Sequence, residues 1–242
     1  MNGDVSVGQR PSQNGPAPKG SASPYVRQTD IWLSLGLAFV GGYGDAGGFV
    51  LAKTFTGHVT GNLVLAAIAV AAQDWRATLR HLSAIVTFLL GSFLSAVIAR
   101  SLKSRPLLPT IMGIEVILIA AGSLALASGV ARGVELFVIL LSLTLGMQNG
   151  AFRRAGGISV HTTYLTGMVT SLISTEAEKY TSEVDPASVR IPDPKIKLLC
   201  GIWIAFVLGA GTGATMVLHF KALGMLGAAL LLTPLVLREI RF

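Results

Sequence analysis

Six apolar stretches, each long enough to cross a lipid bilayer as a helix, constrain this chain more than any other feature. A hydrocarbon core about 30 Å thick needs roughly 20 consecutive apolar residues in a helix. Such stretches run approximately over residues 31–52, 82–99, 107–127, 134–151, 198–218 and 222–237. The sequence therefore predicts an all-α fold, a polytopic transmembrane helical bundle that forms one domain over residues 29–242.

Two shorter apolar segments, 63–72 and 164–174, leave the number of membrane segments open between six and eight. With six crossings and a cytoplasmic start, 14 of the 19 Lys and Arg residues fall on the cytoplasmic side, and with eight crossings 12 do. Basic residues are enriched in cytoplasmic loops of membrane proteins. This bias favours six crossings, and both counts place the two termini in the cytoplasm.

The charge of the chain also bears on its partners. Only 13% of the residues are charged, about half the share in a typical soluble domain. The formal net charge is +7, but the basic residues are spread over tails and loops, so we expect the lipid bilayer as a partner and no nucleic acid. Residues 1–28 are rich in Gly, Pro and Ser, and we expect a disordered cytoplasmic tail there.

The chain repeats itself, with a first copy at about 31–130 and a second at about 134–238. The sequence GYGD at 42–45 is echoed by GMQN at 146–149, TGHVTG at 56–61 by TTYLTG at 162–167, and FLLG at 88–91 by FVLG at 206–209. The offsets are 104, 106 and 118, and the order is preserved. If each copy has three crossings, the copies are inverted, as in many transporters; if each has four, they are parallel.

The first copy contains a polar break, GGYGDAGG at 41–48 followed by FTGHVTGN at 55–62. A carboxylate in an apolar helix is costly, and such residues often mark ion or substrate paths. One hypothesis makes Asp45 a protonatable or cation-coordinating group, with His58, Thr60 and Asn62 as further ligands. The other has Asp45 cap the adjacent short helix while the glycines permit close packing. Three glycines are assigned to helix breaking and packing: Gly44, Gly48 and Gly61.

The second copy contains the matching break, where Asn149 stands at the position of Asp45. A site between the two copies would then hold one carboxyl group and one amide. Gln148, Thr163 and Thr166 could complete it, with Gly167 as a packing position. Alternatively, these polar side chains are hydrogen-bonding contacts between helices.

Other polar residues carry weaker predictions. The two breaks contain too few His, Cys, Asp or Glu residues for a metal site, and we expect no metal and no cofactor. Glu115 lies near the start of its apolar stretch, where it could pair with a loop cation or mark a polar path; we favour an interfacial, solvated carboxylate.

The blocks GYGDAGGF, TGN at 60–62, GMQNGAFRR and TTYLTG resemble the signature blocks of the YoaK-like membrane proteins of the DUF1275 family. The resemblance covers about 31–237. It implies a multi-pass protein of the bacterial inner membrane, and no established substrate or activity comes with it. The residues it marks as motif positions are Asp45, Thr60, Gly61, Asn62, Gln148, Asn149, Thr166 and Gly167.

Duplication and the matched breaks favour a small secondary transporter or permease driven by an ion gradient, with a site between the two breaks and Asp45 as the coupling carboxylate. Its substrate is an unknown small solute or ion, and a homo-oligomer stays open. The alternative is a non-transporting scaffold, sensor or assembly factor. An intramembrane lipid-modifying enzyme is disfavoured because no nucleophile and base pair and no paired carboxylates are evident, so we expect no enzymatic activity.

Overall fold

A computed structural model describes residues 28–101, 107–151, 154–155, 158–159 and 194–241, together with Gly167, Val169, Thr170, Ile173, Ser174 and Ala177. The predicted disordered tail and the site residues Thr163 and Thr166 lie outside the described residues, except that Gln28 already belongs to the first helix. Most of the short apolar segment 164–174 also lies outside them. Its described positions, Gly167 among them, are helical.

The described chain is helical, as predicted. Its elements are α1 (Gln28–Ala52), α2 (Val59–Ala71), α3 (Trp75–Ser101), α4 (Leu107–Ala127), α5 (Gly133–Ala151), α6 (Pro194–Phe220), a 3₁₀ helix (Lys221–Met225) and α7 (Leu226–Arg241). Two strands of two residues each, β1 (Arg154–Ala155) and β2 (Ile158–Ser159), form an antiparallel ladder. Each of the six long apolar stretches falls within a helix, except that the last one begins in the 3₁₀ helix.

Five segments are long and apolar enough to cross a membrane, and the last of them, Ile196–Ile240, contains both α6 and α7. Helix α2 is apolar but shorter. Large apolar side chains lie on the outer surface of these helices; on α3 they are Trp75, Leu79, Leu82, Val86, Leu89, Leu90, Phe93 and Val97. An outer surface of this kind matches the hydrocarbon of a bilayer, and the chain is an integral membrane protein.

Two pairs of helices pack in parallel through glycines. In the pair formed by α1 and α6, Gly209 lies against the backbone of Phe39 and Gly213 against that of Tyr43. In the pair formed by α3 and α5, Gly146 lies against Phe88 and Gly150 against Ser92. In both pairs a step of four residues along one helix is a step of four along its partner, so the helices run in the same direction. A Cβ on these glycines would overlap the partner's backbone, which is why small residues are required here.

The remaining contacts fix the direction of every long helix. Helix α5 is antiparallel to α1, because Gly44 lies against Leu145 while Gln148 reaches back to Leu37. Helix α4 is antiparallel to α5, since Gly122 faces Phe137 and Gly133 faces Ala125. Helix α7 is antiparallel to α1, because Gly36 faces Leu235 and Gly227 faces the Tyr43 hydroxyl.

Helices α1, α4 and α6 therefore run in one direction and α3, α5 and α7 in the other. Because α1 and α3 are antiparallel, the connection that contains α2 starts and finishes on the same side of the bundle. The buried core lies between α1, α4, α5, α6 and α7, with Leu37, Met112, Leu141, Ile202 and Leu232 among its fully buried side chains.

Candidate functional site

Helix α1 continues without interruption through 41–48, so the predicted break of the helix at these residues was wrong, and Gly44 and Gly48 are packing positions. The chain leaves α1 only after Ala52. Lys53 has φ 55°, in the left-handed region that commonly ends a helix and is more often occupied by glycine. The chain then folds back beside α1, so that the backbone of Thr56 and Gly57 meets Asp45, which lies 11 and 12 residues earlier. The loop thus covers the last two turns of α1 before α2 begins.

Asp45 is bound on both carboxylate oxygens by this loop. Its Oδ1 accepts hydrogen bonds from the backbone N–H groups of Thr56 and Gly57, each at 2.8 Å, and its Oδ2 is paired with Nδ1 of His58. The side chain is buried. These donors lie just before the N-terminus of α2, where the helix dipole favours a negative charge. The contacts of Asp45 are those expected of a capping carboxylate.

His58 lies between the Asp45 carboxylate and two aromatic rings. Its ring centroid is 5.6 Å from that of Phe55 and 6.0 Å from that of Phe206 on α6. The hydrogen bond to Asp45 raises the pKa of His58 above its ordinary value, while burial acts against this increase and the charge of Asp45 adds to it. His58 is outside the candidate membrane spans, and the raised pKa favours an ion pair with Asp45.

Asn62 fastens the middle of the loop. Its Oδ1 accepts from the backbone N–H of Phe55 at 3.1 Å, and its Nδ2 donates to the carbonyl of Phe55 at 2.6 Å. Both backbone polar groups of this partly buried residue are therefore satisfied by one side chain. Gly61 lies beneath the Phe55 ring and Gly48 beneath the Thr56 side chain, and a Cβ at either position would crowd that side chain.

Helix α3 holds the other end of the loop, through residues that the sequence did not single out. Arg80 donates from Nη1 to the carbonyl of Ala52 at 3.2 Å, and Nδ1 of His81 lies 3.2 Å from the Thr54 hydroxyl. Arg80 also lies 4.0 Å from the carboxylate of Glu135 on α5. The sequence signal for them is that basic residues stand at the start of an apolar stretch, as is common at membrane surfaces.

The predicted site residues occupy different places. Asp45, His58 and Asn62 form one cluster, whereas Thr60 is exposed at the start of α2. Gln148 is buried and donates from Nε2 to the carbonyl of Leu37 at 3.0 Å. Leu37 and Asp45 are eight residues apart on α1, about 12 Å along the helix axis. Asn149 is partly buried beside Gln148, and Gly44 packs against Leu145 and Leu141.

Glu115 does not lie where the sequence predicted. We expected an interfacial, solvated carboxylate, but its side chain is only 1% exposed within the bundle, so that prediction was wrong. Both of its carboxyl oxygens lack a hydrogen-bond partner among the described residues. The sequence indicated the apolar character of α4 but not which face of the helix points inward.

Within the part of the chain that the structure describes, no group of three or more His, Cys, Asp and Glu residues could hold a metal ion. The geometry of the Asp45 cluster is that of a loop held in place by hydrogen bonds and one ion pair.

No curated protein and no solved structure was found to match this chain. The sequence does match one family, whose description is "Protein of unknown function (DUF1275)", over residues 33–237. This match runs from the second turn of α1 to within four residues of the end of α7, with the Asp45 cluster, Gln148 and Glu115 inside it. The chain therefore belongs to the DUF1275 family.

Proposed function

We propose that this protein is a small secondary transporter of the bacterial inner membrane, built from two inverted repeats of three crossing helices each. The first repeat comprises α1, α3 and α4, and the second comprises α5, α6 and α7. The solute or ion that it moves binds between the repeats, near the middle of the membrane.

The observation that carries this proposal is a reciprocal set of glycine contacts. Positions that correspond under the sequence offsets of 104 and 118 make the same contact in the two parallel helix pairs. Gly42 lies against the carbonyl of Phe206, and its counterpart Gly146 lies against the carbonyl of Phe88. In the same way Gly209 lies against the carbonyl of Phe39, and its counterpart Gly91 lies against that of Leu143. Agreement at four positions supports a duplication, because the offsets come from the sequence and the contacts come from packing.

The directions of the helices support inversion of the two copies. Helix α1 is antiparallel to its counterpart α5, α3 to its counterpart α6, and α4 to its counterpart α7. Inverted repeats of this kind place a binding site at their interface and allow one repeat to rock against the other. A scaffold has no need of this symmetry.

The topology that follows has six crossings, with α2 entering and leaving the membrane on one side. The Asp45 cluster then holds a re-entrant segment in place, and Gln28 and Arg241 lie on the same side of the bilayer. We assign that side to the cytoplasm, because with six crossings 14 of the 19 Lys and Arg residues fall there. Five fall on the opposite side: Lys53, Arg76, Arg80, Arg132 and Lys221.

The interface between the repeats also contains buried polar groups. Ser142 and Gln148 on α5 each have a buried oxygen without a partner among the described residues, and Glu115 on α4 has two. Unpaired polar atoms are uncommon in protein interiors and are often explained by a missing water, ion or ligand. Their position between the repeats supports a binding site there.

Distances between spin labels test alternating access without knowledge of the substrate. Cys200, the single cysteine, is replaced by serine, and labels are attached by cysteine substitution at exposed residues of the two repeats. One pair, Gln73 and Lys221, reports on the loop side, and the pair Arg100 and Lys197 on the side of the termini. Double electron–electron resonance spectroscopy measures the distances between the labels in liposomes.

A transporter is expected to show two populations of label-to-label distances on each side of the membrane. When the pH or the membrane potential is changed, the population with the short distance should grow on one side while that with the long distance grows on the other. The pair Gln73 and Ser128, both within the first repeat, is the control and should show one population. A single unchanging population for both inter-repeat pairs would favour the non-transporting scaffold.

A further inference from the structure

Glu115 is a carboxyl group in the middle of a membrane-spanning helix. It is eight residues from the start of α4 and 12 from its end, which corresponds to about 12 Å and about 18 Å along the helix axis. Its side chain is 1% exposed, and neither carboxyl oxygen has a hydrogen-bond partner in the described structure. Such a group is costly to keep in an apolar interior.

The level of Glu115 in the bundle follows from the register of α4 and α5. Gly122 faces Phe137 and Leu140, and the two helices are antiparallel. Glu115, seven residues before Gly122, therefore lies at the level of residues 144–147 of α5. Ser142 and Gln148, whose unpartnered oxygens were described above, stand just to either side of that level.

No counter-charge stands at this level among the described residues. The elements packed against α4 are α5, α7, the 3₁₀ helix and, weakly, α3. Their described charged or titratable side chains lie near the ends of these elements: Glu135, Arg238, Glu239, Lys221, Arg76, Arg80, His81 and Arg100. The described ion pairs are Asp45 with His58 and Arg80 with Glu135.

An ionised carboxylate in this position would be an uncompensated charge in a low-dielectric medium, whereas a protonated carboxyl group is neutral and far cheaper to bury. Neither oxygen of this carboxyl group has a hydrogen-bond partner among the described residues that would compensate an ionised form, so the site favours the neutral acid.

We propose that Glu115 is a proton-binding site of the bundle, and that the coupling ion of the transporter is a proton carried by this carboxyl group. The coupling role rests on the transport function proposed above. When the inter-repeat interface opens to water, the proton leaves as hydronium, and the remaining carboxylate is hydrated from the open side. Closing the interface again requires the carboxylate to regain a proton.

Infrared difference spectroscopy tests the proton directly. Wild-type protein and the variants Glu115→Gln and Glu135→Gln are reconstituted in liposomes at neutral pH, in light and heavy water. The wild type should show the carbonyl stretch of a protonated carboxylic acid, shifted in heavy water. This band should be lost in Glu115→Gln and retained in Glu135→Gln, whose carboxyl group is partly exposed at the start of α5. Thermal unfolding checks that each variant is folded.

Three results would overturn the proposal. The wild type and Glu115→Gln could have the same spectrum in this region, or the band could fail to shift in heavy water because the proton is trapped. Addition of sodium at constant pH could remove the band, which would make a metal cation the bound ion. The spin-label distances separate this test from that of transport. An exchangeable infrared band with one distance population for each label pair would mean that Glu115 binds a proton in a protein that does not transport. Two distance populations without the band would mean that the protein is a transporter with another coupling group.

Discussion

Asp45 and Glu115 are both buried carboxyl groups within membrane-spanning helices, but their surroundings are opposite. Asp45, 4% exposed, accepts two backbone hydrogen bonds and pairs with His58. Glu115, 1% exposed, has no hydrogen-bond partner among the described residues. Equal burial therefore does not indicate equal roles. The bonded carboxylate holds the loop through its hydrogen bonds, whereas the unpartnered one is the group that we propose to bind a proton.

The difference has a local structural cause. Asp45 lies beside a loop and the start of α2, where backbone N–H groups have no partner within the helix and can donate to a side chain. Glu115 lies at the level of turns inside α5, in which the backbone donors are already used by the helix itself. A carboxylate is readily satisfied at the first kind of place and poorly satisfied at the second.

The largest expected effect is from removal of the bonded carboxylate. Asp45→Ala leaves two backbone N–H groups and His58 without their acceptor, and breaking a buried charged pair typically costs about 3–5 kcal/mol. Because His58 is 35% exposed, most of this loss should come from the backbone donors. Thermal unfolding in detergent measures it, and Asp45→Asn should lose less, since the amide keeps one acceptor oxygen.

Asp74 provides a matched control for this substitution. It is an exposed residue whose Oδ1 accepts a hydrogen bond from the backbone N–H of Ala77 at 3.0 Å, at the start of α3. Loss of such an exposed cap costs about 1 kcal/mol. If Asp45→Ala were no more harmful than Asp74→Ala, the Asp45 cluster would not hold the loop.

The unpartnered carboxyl group should behave in the opposite way. Glu115→Met replaces a buried polar group by an apolar one of similar length, and removal of an unsatisfied polar group should stabilise the fold by about 1–3 kcal/mol. The same unfolding measurement applies. A loss of stability similar to that of Asp45→Ala would mean that Glu115 has a partner in the folded protein and would remove the contrast between the two groups.

The sequence predicted the helices well because long apolar runs in a membrane protein have few other structures available. The predicted stretches fall within the observed helices, except that the last one begins in the 3₁₀ helix, but the break predicted at 41–48 is absent because α1 is continuous from Gln28 to Ala52. The acceptor role of Asn62 could not be predicted, because its partner Phe55 is set by the path of the loop.

Glu115 shows where sequence reasoning failed, for a physical reason. Helix α4 is apolar on all sides, so its sequence contains no polar face that would indicate which side points to the core. The position of Glu115 depends on the packing of α4 against α5 and α7, which are distant in the sequence, so the local sequence of α4 does not indicate it. The polar motifs indicated Asp45 as the candidate site residue, whereas the residues around Glu115 contain no motif that would indicate a site.

The smallest expected effect is the pH dependence of the ion pair in the Asp45 cluster. Because the pKa of His58 is raised in the folded protein, its contribution to stability is fully present below the pKa of an unfolded histidine, about 6.5, and is lost as pH rises through the folded value. With His58 partly exposed, the contribution should be below about 1 kcal/mol. Thermal unfolding of wild type and His58→Gln between about pH 5 and about pH 9 should give a difference in stability that shrinks as pH rises.

In an Asp45→Asn background the same comparison should show little change with pH. A difference that grows with pH would contradict the assignment, because it would mean that neutral His58 is the form that stabilises the loop.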